Sequence, residues 1–224
     1  MMKTEKQKFK NFNYIFQTPD NYCAHKKYPA IIFLHGAGSR GNDIDTLRGN
    51  PYFAETKKNE YNVITFAPQC FADTWFDILE QLKEFTDYVI NEDFVDKDRV
   101  YLMGASMGGY ATWQLAMSMP NVFAAIVPIC GGGMYWNADR LKAVPVWAFH
   151  GSEDPVVYPE ESKKMVDAVN KNGGNAKLTI CEGVGHNSWL NAYRSKEVFQ
   201  WMLSHEKNSL NESSNRFDDQ NIYG

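Results

Sequence analysis

Apolar residues along this chain gather in short runs separated by polar, helix-like stretches. Six runs are nearly continuous: YPAIIFLHG (28–36), NVITFAP (62–68), RVYLMG (99–104), FAAIVPICG (123–131), VPVWAFHG (144–151) and KLTICEG (177–183). A strand with one wet face alternates apolar and polar residues, whereas an unbroken run suits a strand covered on both faces. FNYIFQTP (12–19) alternates somewhat and reads as an antiparallel edge strand. Between the runs, DILEQLKEFTDYVINE (77–92) sets Ile78, Leu82, Phe85 and Val89 three or four residues apart, one apolar stripe of a helix. GGYATWQLAMSM (108–119), PEESKKMVDAVNKNGG (159–174) and SWLNAYRSKEVFQWMLSH (188–205) read likewise. The second of these opens on Pro159 with acids in its first turn and stops at Gly173. Strands alternating with helices predict an α/β fold, a mostly parallel sheet with helices on both faces. From Glu206 the chain turns polar, which divides it into a single domain over 1–205 and a polar, flexible tail over 206–224.

A length of 224 residues with 44% apolar side chains fills the core of one such domain. The formal charge of −4 gives no basic footprint, so no nucleic-acid partner is expected. No run approaches the ~18 apolar residues of a membrane span. The basic start MMKTEKQKFK leads into an interrupted segment rather than the apolar region of a signal peptide. The expectation is a soluble, cytoplasmic protein without a membrane partner. Cys23, Cys70, Cys130 and Cys181 show no CxxC or zinc-like spacing and are expected as free thiols. No His/Asp cluster has ligand spacing, and neither a metal nor another cofactor is expected.

Candidate chemistry sits at one join. In GASMG, Gly104, Ser106 and Gly108 satisfy G-x-S-x-G between the apolar strand VYLM and a helix. A nucleophile presented clear of a sheet needs a tight strand-to-helix turn whose neighbours lack side chains. The helix starting at Met107 would aim its free N–H groups at a developing oxyanion. Serine is inert at neutral pH without a base. His25 and His205 read as solvated, and His35 and His150 end strands before glycine, where an imidazole commonly steadies a loop. His186, in CEGVGHNSW, follows the serine and lies on a loop after the last strand, which makes it the candidate base. The loop after VPVWAF offers Glu153 and Asp154. Asp154 is the candidate acid because Pro155 holds it extended at a turn. The glycine-rich loop FLHGAGSRGND (33–43) lets backbone approach a ligand and supplies a second oxyanion donor. The N–H of Ala37 is the choice, with Gly36 and Gly38 as competitors, beside that of Met107. This loop lacks the Lys-Ser/Thr ending of a phosphate-binding P-loop.

On these residues the chain resembles the α/β-hydrolase serine esterases, in particular the carboxylesterase/phospholipase-like and "predicted peptidase" branches, which are also similar to feruloyl-esterase and depolymerase-type enzymes. The likeness covers roughly 12–205 and rests on YPAIIFLHGAGSRG, APQC, DKDRVYLMGASMGGYATWQLA, FAAIVPICGGG, VPVWAFHGSEDPVV and GVGHNSW. It implies an eight-stranded sheet, of which the pattern places seven strands, and a triad of Ser106, Asp154 and His186 in that chain order. The implied activity is hydrolysis of carboxylic esters through an acyl-enzyme. A serine peptidase acting on short peptides and a non-catalytic binding protein on the same scaffold are the alternatives. The segment CGGGMYWNADRLKAVP leaves room for no substantial lid, and an open site admits a small ester or one carried on a sugar chain. Trp75, Trp136 and Trp189 are candidate rim aromatics. Gln69, Trp75 and Trp189 are the predicted substrate contacts.

Overall fold

The computed structural model describes residues 2–207; beyond 207, the predicted tail lies outside the described residues. In chain order the strands are β1 (Lys3–Phe9), β2 (Phe12–Thr18), β3 (Tyr28–Leu34), β4 (Ile64–Pro68), β5 (Val95–Ala105), β6 (Ala125–Ile129), β7 (Val146–Gly151) and β8 (Ala176–Cys181). The helices are α1 (Ile44–Arg48), α2 (Pro51–Asn59), α3 (Leu79–Asn91), α4 (Met107–Ser118), α5 (Pro159–Lys171), α6 (Trp189–Arg194) and α7 (Lys196–Leu203). One sheet runs in the order β1-β2-β4-β3-β5-β6-β7-β8. β1 and β2 pair antiparallel, as do β2 and β4, and the remaining pairs are parallel. The carboxyl ends of every strand but β2 therefore share one edge, where α/β sheets place their sites.

The missing alternation of the central runs has a direct cause. Ala30, Ile32 and Leu34 of β3 face one core layer with Leu82 and Phe85 of α3, Leu115 of α4 and Met165 of α5. Ile31 and Phe33 face the other, with Tyr52 of α2, Tyr193 of α6 and Phe199 of α7. Successive side chains point to opposite faces, and both faces are dry.

Three expectations change. The eighth strand is β1, KTEKQKF, exposed at most of its positions; it pairs backbone to backbone with β2 in a hairpin and needs no apolar face. Two helices, α1 and α2, fill the stretch between β3 and β4, α2 opening on Asn50, whose side chain accepts from Tyr52 N–H, and on Pro51. The last predicted helix is two, because Ser195 leaves helical geometry and caps α7 by accepting from Val198 N–H. All four cysteines are free. No helix among the described residues is long and apolar enough to cross a membrane.

Candidate active site

β5 ends at Ala105, and Ser106 takes φ 56° and ψ −118° before α4 begins. That left-handed backbone is strained for a residue with a side chain, and it lifts the Oγ off the sheet edge. The bend closes because its neighbours are bare. A Cβ on Gly108 would stand 2.0 Å from Leu34 O, and one on Gly104 would stand 2.4 Å from Gly108 O. The helix start therefore seats directly on the end of β3.

The base arrives from the far side of the sheet. His186 lies between β8 and α6, and its Nε2 is 2.7 Å from Ser106 Oγ. Its Nδ1 is 2.7 Å from Asp154 Oδ2. The loop carrying Asp154 meets the loop carrying His186 because Gly151 lets the chains touch: a Cβ there would sit 2.2 Å from Val184 O and Gly185 O. Asp154 Oδ1 accepts from Val156 N–H at 2.9 Å and Val157 N–H at 3.0 Å, the turn that Pro155 sets up. Burial pushes this carboxyl up, but the hydrogen bonds from His186, Val157 and Val156 outweigh it and hold the acid below the usual carboxylate range. Glu153, one residue earlier, is exposed.

His150, read as a loop-steadying imidazole, donates or accepts at both nitrogens. Nδ1 is 2.7 Å from Ser162 Oγ and Nε2 is 2.8 Å from Val157 O. Nε2 also lies 3.3 Å from Asp154 Oδ2, so the acid's turn is braced by a second ring that sequence reading gave no link to the site. His205, expected in solvent, is half-buried with Nδ1 against Trp201 O.

Ala37 opens the short 3₁₀ turn that follows β3, and the loop passes beside the serine: a Cβ on Gly36 would stand 3.5 Å from Ser106 Cβ. Met107 is the first residue of α4, where an N–H has no acceptor within the helix. Ala37, Ser106, His186, Pro51, Trp189 and Tyr193 line one cleft of about 510 Å³. Trp189 sets its ring edge-on to the imidazole, centroids 5.4 Å apart.

Gln69 and Trp75 do not reach the cleft, and their predicted role is corrected. Both are buried. Gln69 Nε2 donates to Ser39 O, Asp43 O and Thr46 Oγ1, and Trp75 Nε1 donates to His35 O. The loop after β4 folds inward to hold the 35–46 loop in place instead of forming the rim. His35 belongs to the same brace. Its Nε2 accepts from Cys70 N–H at 2.9 Å, leaving Nδ1–H to donate to Gly36 O at 2.7 Å. The bond from Cys70 needs the neutral ring, and burial lowers the pKa of His35 to about 4, the Gly36 bond opposing and Arg40 assisting. Between that value and the ordinary 6.5 the unfolded chain binds the extra proton, so stability falls as pH falls through this window. Acidifying from pH 7 to 5 is expected to remove about 2 kcal/mol. Thermal melts across that range test it: His35→Gln should flatten the slope, and an unchanged slope would refute the assignment.

Cys130, Asp154 and His186 offer donor atoms within 4.8 Å of one another. Burial pushes the Cys130 thiol up to about 12, hydrogen bonds from Ser106 and Ser188 opposing, so it keeps its proton at neutral pH. Both imidazole nitrogens are already engaged by Ser106 and Asp154. The donor set fits a hydroxyl, imidazole and carboxylate in series, the ring placed to take the proton and the carboxylate to stabilise the charged ring, rather than a metal cage.

A sequence model of the prolyl oligopeptidase family matches residues 77–136 and 133–212. The chain is 24% identical to a probable feruloyl esterase C of Aspergillus terreus over 72% of this chain and 62% of that protein. It is 24% identical to acetylxylan esterase A of Emericella nidulans, covering 85% of this chain and 84% of that one. A crystal structure described as a thermostable esterase superposes with a TM-score of 0.80 at 30% identity, over 92% of this chain and 63% of that one. The chain thus spans less than two thirds of the Aspergillus terreus protein and of the thermostable esterase. The sheet order, the covered faces and these likenesses make this an α/β-hydrolase fold.

Proposed function

The chain belongs to the prolyl oligopeptidase family, and we propose that it is a carboxylic ester hydrolase that works through an acyl-enzyme on Ser106. The observation that carries this reading is the unbroken relay of 2.7 Å and 2.7 Å from Ser106 through His186 to Asp154 at the floor of an apolar cleft. Neutral His186 takes the hydroxyl proton as Ser106 attacks the carbonyl, and Asp154 stabilises the imidazolium that results. Ala37 and Met107 N–H groups hold the oxyanion. His186 then gives its proton to the leaving alcohol, and water repeats the sequence to free the acid and restore the serine. The names of the feruloyl and acetylxylan esterases support small acyl or carbohydrate-linked esters as substrates.

The family's description favours a second reading, a serine peptidase with the same triad. An assay of methyl ferulate and p-nitrophenyl acetate beside a prolyl peptide anilide separates the two. Turnover of the esters with none of the anilide is the expected outcome; anilide turnover with inert esters would replace the esterase reading.

A further inference from the structure

Among the described residues five large apolar side chains stand in solvent: Phe76, Tyr135, Trp136, Val156 and Tyr158. All five lie on segments that leave the carboxyl ends of parallel strands: Phe76 after β4, Tyr135 and Trp136 at the start of a short 3₁₀ helix (Tyr135–Leu141) after β6, Val156 and Tyr158 after β7. The α-helices and the opposite sheet edge carry none of them. Exposed apolar groups scattered singly need no explanation, but confinement to the edge that bears the cleft does. Four of the five are rings.

Resting on the esterase reading for the cleft itself, we propose that Tyr135, Trp136 and Tyr158 form a platform for the pyranose units of the sugar chain that carries the ester. The cleft of about 510 Å³ has room for an acyl or aryl group but not for a sugar chain, so the remainder of such a substrate leaves it over the rim. Val156 is that rim: it lines the cleft and is 67% exposed, and Tyr158 follows two residues later at 68%. The chain just before Tyr135 and Trp136, at Gly131 and Gly132, lies against the first turn of α5, the helix that Tyr158 precedes. Ser162 Oγ donates to Gly131 O at 2.8 Å, and a Cβ on Gly132 would stand 2.8 Å from Glu161 Cβ. Tyr135 and Trp136 meet edge-on, centroids 5.2 Å apart and planes at 79°, and the indole is 71% exposed. Tyr and Trp rings have few rotatable bonds and offer a flat apolar face at little entropic cost, matched to the C–H face of a pyranose whose hydroxyls stay in water. Tyr and Trp also serve at protein and membrane interfaces, so the sugar chain is assigned from the ester cleft that Val156 borders rather than from the ring types alone.

The test uses the full chain with an unesterified xylo-oligosaccharide as the binding probe, followed by calorimetry or affinity electrophoresis. Wild type should bind, and Trp136→Ala and Tyr158→Ala should each weaken binding about five- to tenfold. In turnover, the ratio of kcat/KM for a feruloylated xylo-oligosaccharide to that for methyl ferulate should fall by a similar factor. Absence of wild-type binding, or variants that bind like wild type, would overturn the platform. Binding without hydrolysis of any ester would sink the esterase reading and leave the platform standing; ester hydrolysis without sugar binding would do the reverse.

Discussion

Ser106→Ala is expected to lower kcat on p-nitrophenyl acetate by about 10⁶-fold, with the protein still folded. The hydroxyl makes one hydrogen bond, to His186, so its loss removes chemistry and little packing. His186→Ala should cost about as much, and the double variant no more than either single one, because a nucleophile without its base is already inert. Asp154→Asn should cost about 10⁴-fold: the amide keeps the turn but presents the wrong partner to Nδ1–H. Steady-state rates of the four variants check the pattern. Independent, additive losses would mean that the three side chains do not act as one relay.

Gly108→Ala is expected to be the most damaging single methyl in the fold. Its Cβ would meet three backbone atoms, Leu34 O at 2.0 Å, Leu34 C at 2.6 Å and His35 O at 2.8 Å. Backbone at the end of β3 cannot rotate aside as a flexible side chain can. α4 must lift off the strand, and with it the serine turn and the loop that carries Ala37. A loss of about 3 kcal/mol follows, or roughly 6–12 °C in Tm for a chain of this size, with activity falling alongside. Gly38→Ala is the control, since its Cβ would meet nothing within 4 Å. Melting curves for the pair decide it. Equal midpoints would show that the helix does not seat against Leu34 and His35.

The site was legible where chemistry dictates local sequence. A serine at a strand-to-helix bend requires bare neighbours, and Gly104 and Gly108 advertise the bend whatever the rest of the fold does. His186 and Asp154 were legible by position on loops after strands, and the structure sets both in one chain of hydrogen bonds with Ser106. Gln69 and Trp75 were misread because a loop leaving a catalytic edge can fold inward as easily as outward, and composition is the same either way. What distinguishes them is the set of carbonyls around Gln69 Nε2, which comes from residues 39 and 43 across the loop. β1 was missed for a related reason. Its stability comes from backbone pairing with β2 across the hairpin, which leaves no apolar signature in KTEKQKF. The Asn50-Pro51 start of α2 and the Ser195 cap of α7 are local signals and could have been read. The contact between His150 and Asp154 is four residues apart in sequence, yet it depends on a turn that only the folded loop shows.

The central claim is that one hydroxyl, at residue 106, is made nucleophilic by an imidazole delivered from beyond β8. Labelling the full chain with a fluorophosphonate and mapping the adduct by peptide mass spectrometry tests it most directly. The account predicts a single adduct on Ser106 that is lost in His186→Ala. A label on any other serine, or an unchanged label on Ser106 without His186, would contradict it.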